Sequence, residues 1–142
     1  MQNWQHWFLR FIGVLFIYGG VVGALKVAPA TTIVNTPLFF FVYYLCCVFA
    51  GIFLLENNRR VIFWTKVLLL LQIPIVSSAW ISYHLSTGMG ISLKVTWPTF
   101  KLGFEYGAYY GFALYKTGKS IVGVNLLAIA MLVFLHQRMR AD

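Results

Sequence analysis

Four long apolar runs govern what this chain can fold into. They cover about residues 7–27, 37–55, 61–83 and 120–136. An α-helix needs about 20 mainly apolar residues to cross the hydrocarbon core of a bilayer, and each run approaches or exceeds that length. The sequence therefore predicts an all-α membrane protein, a four-transmembrane-helix bundle whose 142 residues form a single integral membrane domain.

The low charge content favours lipid as the solvent of this domain. Charged residues make up 10% of the chain and hydrophobic residues 61%, whereas a soluble domain carries about 25% charge. So few charged side chains cannot cover a water-facing surface. The lipid bilayer is therefore the expected partner, and the bacterial inner membrane is the expected location.

The net charge of +8 bears on topology rather than on nucleic acid. The basic residues stand singly near the ends of the apolar runs, without the clustering of a nucleic-acid-binding face. Arginines concentrate in short flanks, as in Arg59-Arg60 and around Arg138 and Arg140. Because Lys and Arg accumulate in cytoplasmic flanks, the sequence predicts a multi-pass protein with both termini in the cytoplasm.

The segment 90–115, between the third and fourth runs, has a different pattern. Apolar side chains alternate with polar or small ones in two successive stretches: Ile91, Leu93, Val95 and Trp97, then Phe100, Leu102, Phe104 and Tyr106. A period of two is typical of half-buried strands. We therefore expect a small antiparallel β element outside the membrane, on the non-cytoplasmic side.

Residues 107–115 admit two interpretations. Gly103, Gly107 and Gly111 recur at intervals of four, which is also the spacing of a close-packing helix face. The flanking residues are apolar or small on both faces, so the pattern does not choose between strand and helix.

Glycines and polar residues inside the apolar runs indicate helix contacts. Gly19 and Gly23 have the spacing that lets two helix backbones approach closely, and Gly13 lies earlier in the same run. Polar groups in hydrocarbon are costly and need a partner. We interpret the four intramembrane polar residues as bonds between helices: Gln72, Ser77, Ser78 and Asn125.

The remaining chemistry-bearing residues form no catalytic pattern in the sequence. The acidic residues all lie outside the predicted spans: Glu56, Glu105 and Asp142. Without a pair of carboxylates in one span there is no acid/base pair of the usual kind. The histidines fall at helix ends on opposite sides of the membrane, which does not suit one metal site: His6, His84 and His136. We expect no enzyme activity, no metal and no cofactor.

An aromatic β element with free edges is suited to docking. The sequence therefore predicts a non-enzymatic accessory or partner-binding subunit of a membrane assembly, whose partner is another membrane protein or a second copy. The expected docking residues are Leu93, Trp97, Phe100, Phe104 and Tyr106. Two alternatives remain open: a small oligomeric transporter or channel lined by the intramembrane polar residues, and an immunity-type protein acting against a membrane-active toxin.

Overall fold

The computed structural model describes residues 2–28, 35–56, 59–96, 98–114 and 120–141. Its helices are α1 (Gln2–Val27), α2 (Asn35–Leu55), α3 (Arg59–Gln72) and α4 (Leu126–Ala141). Its strands are β1 (Pro74–Ser77), β2 (Ile81–Ser86), β3 (Met89–Thr96), β4 (Thr99–Tyr106), β5 (Tyr109–Leu114) and β6 (Ile121–Asn125). Across these ranges the chain builds an antiparallel sheet of six strands beside its helices.

Helices α1 and α2 pack against each other as an antiparallel pair. A Cβ at Gly13 would lie 3.0 Å from the carbonyl oxygen of Gly51, and one at Gly23 would overlap the ring of Tyr44. Two segments are long and apolar enough to cross a membrane, His6–Val27 and Leu38–Leu55, with mean hydropathies of 2.0 and 2.5. The membrane prediction therefore holds in this coarser form.

The third predicted span is wrong beyond Gln72. Instead of continuing as a helix to residue 83, the chain enters strands β1 and β2. Pro74 lacks an N–H and its ring clashes with the preceding helical turn, and the β-branched Ile75 and Val76 favour a strand. The side chain of Ser78 then closes a tight turn by donating to the carbonyl of Ile81 at 3.2 Å.

The fourth predicted span, 120–136, is wrong in its first part. Ile121–Asn125 is strand β6, and α4 begins only at Leu126. The side-chain oxygen of Asn125 accepts the N–H of Ala128 at 3.3 Å, which is the N-cap interaction that starts a helix. The four-transmembrane-helix, all-α architecture is therefore incorrect. Among the described helices only α1 and α2 reach spanning length, and the β element is a six-stranded sheet rather than a small one.

Strands β2 to β5 form one long, bent hairpin. Its register is unbroken from Thr96 opposite Thr99 to Ile81 opposite Leu114. The segment 107–115, left open by the sequence, contributes strand β5. The bend lies at Gly88 and Gly107, where φ is +77° and +89°, a region that glycine enters without steric cost. The N–H of Gly107 donates to the carbonyl of Gly88 at 2.6 Å, so the ladder continues through the bend.

Because of the bend, the two halves of the hairpin lie on either side of β1 and β6 in the sheet. β1 and β6 pair with each other, β1 also pairs with β2, and β6 also pairs with β3. The strand order is therefore β4-β3-β6-β1-β2-β5. Since α3 leads directly into β1 and β6 leads directly into α4, the two short helices leave the sheet side by side.

The sheet bend rests on the α1–α2 pair. A Cβ at Gly19 would overlap the backbone nitrogen of Gly88, so this glycine faces the sheet, whereas Gly13 and Gly23 face α2. The ammonium of Lys26 donates to the carbonyl of Ala108 at 3.0 Å. At the opposite end of the molecule, the rings of Phe8 and Phe134 lie 4.2 Å apart, which brings the start of α1 next to the later part of α4.

Candidate binding surfaces of the sheet

The two faces of the sheet have opposite chemistry. Residues directly opposite each other on neighbouring antiparallel strands project to the same face. By this register, one face carries the apolar pairs Ile91–Phe104, Leu93–Leu102 and Val95–Phe100. We call it the outer face. The other, inner face carries Ser92, Lys94, Lys101, Glu105 and His84.

Glu105 is the centre of a polar cluster on the inner face. Its Oε1 lies 2.6 Å from Nζ of Lys94 and 3.2 Å from Oγ of Ser92. Its Oε2 lies 2.9 Å from Nε2 of His84. His84 is on β2 and Glu105 on β4, with three strands between them in the sheet. A contact this short requires the sheet to curl strongly, so the inner face is concave.

The electrostatic environment keeps Glu105 ionised. Burial by itself would raise the pKa of this carboxyl group, but the contacts with His84 and Lys94 outweigh burial and lower the pKa to about 2. Nε2 of His84 lies 2.9 Å from Oε2 of Glu105, and this contact, together with that of Lys94, lowers the pKa of Glu105. The cluster ties β2 to β3 and β4 across the concavity.

The geometry of this cluster differs from that of a catalytic triad. In a triad the histidine lies between the nucleophile and the acid, whereas here the carboxylate lies between His84, Ser92 and Lys94. A carboxylate with a pKa near 2 is also a weak base at neutral pH. Among the described residues, no three His, Cys, Asp or Glu side chains are grouped as a metal site requires.

A cavity of about 300 Å³ adjoins the cluster on the concave side. Near the bend it is bounded by His84, Lys94 and Tyr109, and at the strand ends farthest from the helices by Ser77 and Ile121. Gly111 also lines it, and a Cβ added there would meet nothing within 4 Å. We call this space the inner cavity.

The predicted intramembrane polar residues do not share one helix face. Gln72 ends α3, and its side-chain oxygen accepts the N–H of Thr87 at the bend, at 3.3 Å. Asn125 is buried as the N-cap of α4. Ser77 lines the inner cavity, and Ser78 closes the β1–β2 turn.

The predicted docking residues fall mainly on the outer face. Phe104 is 80% exposed and Phe100 71% exposed, and Tyr106 is similarly open. Leu93 is half-buried on the same face, opposite Leu102. Trp97 lies outside the described residues.

Strand β4 has an unpaired edge. The strand order places β4 and β5 at the two ends of the described sheet. Because the N–H of Gly107 donates to Gly88 directly opposite, the odd-numbered residues of β4 form the hydrogen-bonded pairs with β3. The N–H and C=O groups of the even-numbered residues therefore point away from the sheet. We call this row, from Phe100 to Tyr106, the free edge.

The chain matches no protein-family model, no curated protein and no solved structure.

Proposed function

We propose that this protein is a non-enzymatic, membrane-anchored subunit that binds an extended segment of a partner membrane protein along its free edge. The observation that carries the proposal is the coincidence of unpaired backbone groups and exposed aromatic side chains on strand β4. Extended peptides add to such edges through main-chain hydrogen bonds, while side-chain contacts provide specificity.

The position of the free edge relative to the apolar segment of α1 favours a polypeptide over lipid as its occupant. The rings of Tyr18 on α1 and Tyr106 on β4 lie 5.9 Å apart. Tyr18 lies nine residues before the end of the apolar segment at Val27, which is roughly 13 Å along a helix axis. Part of the edge thus lies beside the apolar stretch of α1. Hydrocarbon cannot satisfy backbone N–H and C=O groups, and each unsatisfied group costs several kcal/mol.

Within the described parts of the chain, a contact that satisfies a backbone group of the edge is found near the bend. Ala108, the next even-numbered residue after Tyr106, directs its carbonyl to the ammonium of Lys26. This bond shows how the edge groups are satisfied where α1 reaches them. From Tyr106 back to Phe100, a second polypeptide would hydrogen-bond to the backbone groups of the edge.

The proposed orientation places the arginine-rich end in the cytoplasm. Both ends of the described chain, near Phe8 and Phe134, lie at the end of the molecule opposite the sheet. Arg59 and Arg60 begin α3, just after the short loop that follows α2. Under the positive-inside rule, the proposed orientation has the sheet and its free edge towards the non-cytoplasmic end of α1 in a multi-pass protein.

Replacing Leu102 with proline tests the free edge. Leu102 is even-numbered, so proline would remove an N–H that the hairpin does not use, and edge positions are where sheets tolerate proline. A photoreactive phenylalanine analogue at position 104 should form one discrete adduct with a partner protein in native membranes. We expect Leu102→Pro to reduce that adduct at least about fivefold, which corresponds to roughly 1 kcal/mol of binding.

The matched control is Leu102→Ala, which shortens the side chain but keeps the N–H. It should retain most of the adduct, and both variants should melt within a few degrees of the wild type. An adduct of the same yield in Leu102→Pro would refute edge pairing. An adduct with the mass of two copies of this chain, or labelling of lipid alone, would instead refute the proposal that the occupant is a separate partner protein.

A further inference from the structure

The inner face carries an excess of positive charge that the proposed partner-binding edge does not use. Lys94 and Lys101 are directly opposite each other on β3 and β4, and His84 lies on the far side of the same carboxylate. Like charges directly opposite in a sheet are destabilising. Among the described residues, Glu105 is the acidic side chain that contacts Lys94 and His84, and it brings one negative charge against the two lysines.

The hydrogen-bonding capacity of the inner cavity is mainly that of donors. The ammonium of Lys94 has three donors and uses one of them on Glu105 at 2.6 Å. Its side chain is 30% exposed and borders the cavity. The hydroxyl groups of Ser77 and Ser82 line the same space. Both oxygens of Glu105 are already occupied, so the polar groups that remain for an incoming ligand are the Lys94 ammonium and the hydroxyls.

The shape of the inner cavity suits a small group. Small residues keep it open: Gly111 lies directly opposite His84, and Ala113 opposite Ser82. A volume of about 300 Å³ is at the lower limit of ordinary ligand sites. It admits a group the size of a phosphate with a short substituent.

We propose that the inner cavity binds a small oxyanion, the phosphate group of either a lipid headgroup or free inorganic phosphate. Lys94 lines the cavity and supplies the charge, with Lys101 directly opposite it on β4. Ser77 and Ser82 supply hydroxyl donors, and Glu105 holds Lys94 and His84 in place. A phosphate oxygen accepts several charge-assisted hydrogen bonds, and lysine is a common point-charge partner for it. The bound anion would also relieve the repulsion between the two lysines.

Two substitutions test this site in the purified, full-length protein. Gly111→Leu fills the inner cavity without changing its charge, and the open space around the Cβ position leaves the fold intact. Lys101→Gln removes the exposed lysine but keeps the Lys94–Glu105 ion pair. Leu102→Ala, on the outer face, is the matched control.

Inorganic phosphate binding is measured by calorimetry in phosphate-free buffer. We expect saturable one-site binding by the wild type and by Leu102→Ala, at least tenfold weaker binding by Gly111→Leu, and about three- to tenfold weaker binding by Lys101→Gln. A tenfold change corresponds to about 1.4 kcal/mol.

The source of the phosphate is resolved with nanodiscs. If a lipid headgroup is the ligand, nanodiscs containing phosphatidylglycerol should occupy the site and suppress the calorimetric signal relative to detergent micelles. If free phosphate is the ligand, the signal should persist in the same nanodiscs. The proposal fails if inorganic phosphate shows no saturable binding in detergent, or if both Gly111→Leu and Lys101→Gln bind it as the wild type does.

Discussion

Replacing Gly19 with leucine is expected to lower the midpoint of thermal unfolding by about 10 °C or more. The added Cβ would overlap the backbone nitrogen of Gly88 and lie 2.6 Å from the carbonyl carbon of Thr87. Neither atom belongs to a side chain that can rotate away. Gly88 is further constrained by its φ of +77° and by its own close approach to Leu15, whose carbonyl oxygen is 2.8 Å from the position of a Cβ at Gly88. The sheet would have to move off α1.

The expected magnitude follows from the cost of overpacking. Inserting carbon atoms into a packed contact costs roughly 1–3 kcal/mol when side chains can adjust, and a backbone obstacle places the cost at the upper end. For a domain of this size, about 3 kcal/mol corresponds to roughly 10 °C. Val21→Leu is the matched control, since Val21 is an exposed residue of the same helix. Equal melting midpoints for Gly19→Leu and Val21→Leu in detergent would show that the sheet does not rest on α1.

The two helices that are long and apolar enough to cross a membrane could be predicted from the sequence because their apolar runs are long and uniform around the helix. The third and fourth runs misled the prediction because hydropathy does not distinguish a buried strand from a buried helix. The discriminating signals were local ones, namely Pro74 and the β-branched residues of Pro74–Ser77 and Ile121–Asn125. Strands β3 and β4 were predicted because their alternation of period two is specific to strands.

The Glu105 cluster could not be predicted from the sequence. His84 and Glu105 are 21 positions apart, and the hairpin register places Gly90, not His84, opposite Glu105. Only the bend at Gly88 and Gly107, together with the insertion of β1 and β6 into the sheet, brings the two side chains together. Local patterns contain no information about that curvature. The one part of this region that the sequence could have indicated is the pairing of Lys94 with Lys101, because it follows from the hairpin register alone.

Acid stability provides the second large effect, through Glu105. The pKa of this carboxyl group falls from an ordinary value of 4.5 to about 2 in the folded protein. A lowered folded-state pKa means that the unfolded chain binds the proton more readily, so Glu105 stabilises the fold fully above about pH 4.5. That contribution is lost as the pH falls towards 2. The melting midpoint of the wild type should therefore decline across this interval.

Glu105→Gln removes the titrating group. It should change both the value of the melting midpoint and its dependence on pH. At pH 7 the variant should be less stable by on the order of 2 kcal/mol, after allowance for partial solvent screening of the cluster. The loss arises because Lys94 and Lys101 would then lie opposite each other without a carboxylate beside Lys94. Between pH 4.5 and 2 the midpoint of the variant should change less than that of the wild type, and near pH 2 the two curves should converge.

Glu56→Gln is the matched control for this experiment. Glu56 is an exposed carboxylate just after α2, outside the cluster, so its removal should leave the curve of midpoint against pH parallel to that of the wild type. Curves that are parallel for Glu105→Gln as well would mean that the carboxylate is not held by His84 and Lys94 in solution. If the melting midpoint of Glu105→Gln converges with that of the wild type near pH 2, and that of Glu56→Gln does not, the acid sensitivity of the fold is due to Glu105. This carboxylate joins β2 to β3 and β4 across the concave face. In the described sheet β2 and β4 are not neighbouring strands, so we expect protonation of this single group to loosen the curl of the sheet before the strand pairs themselves separate.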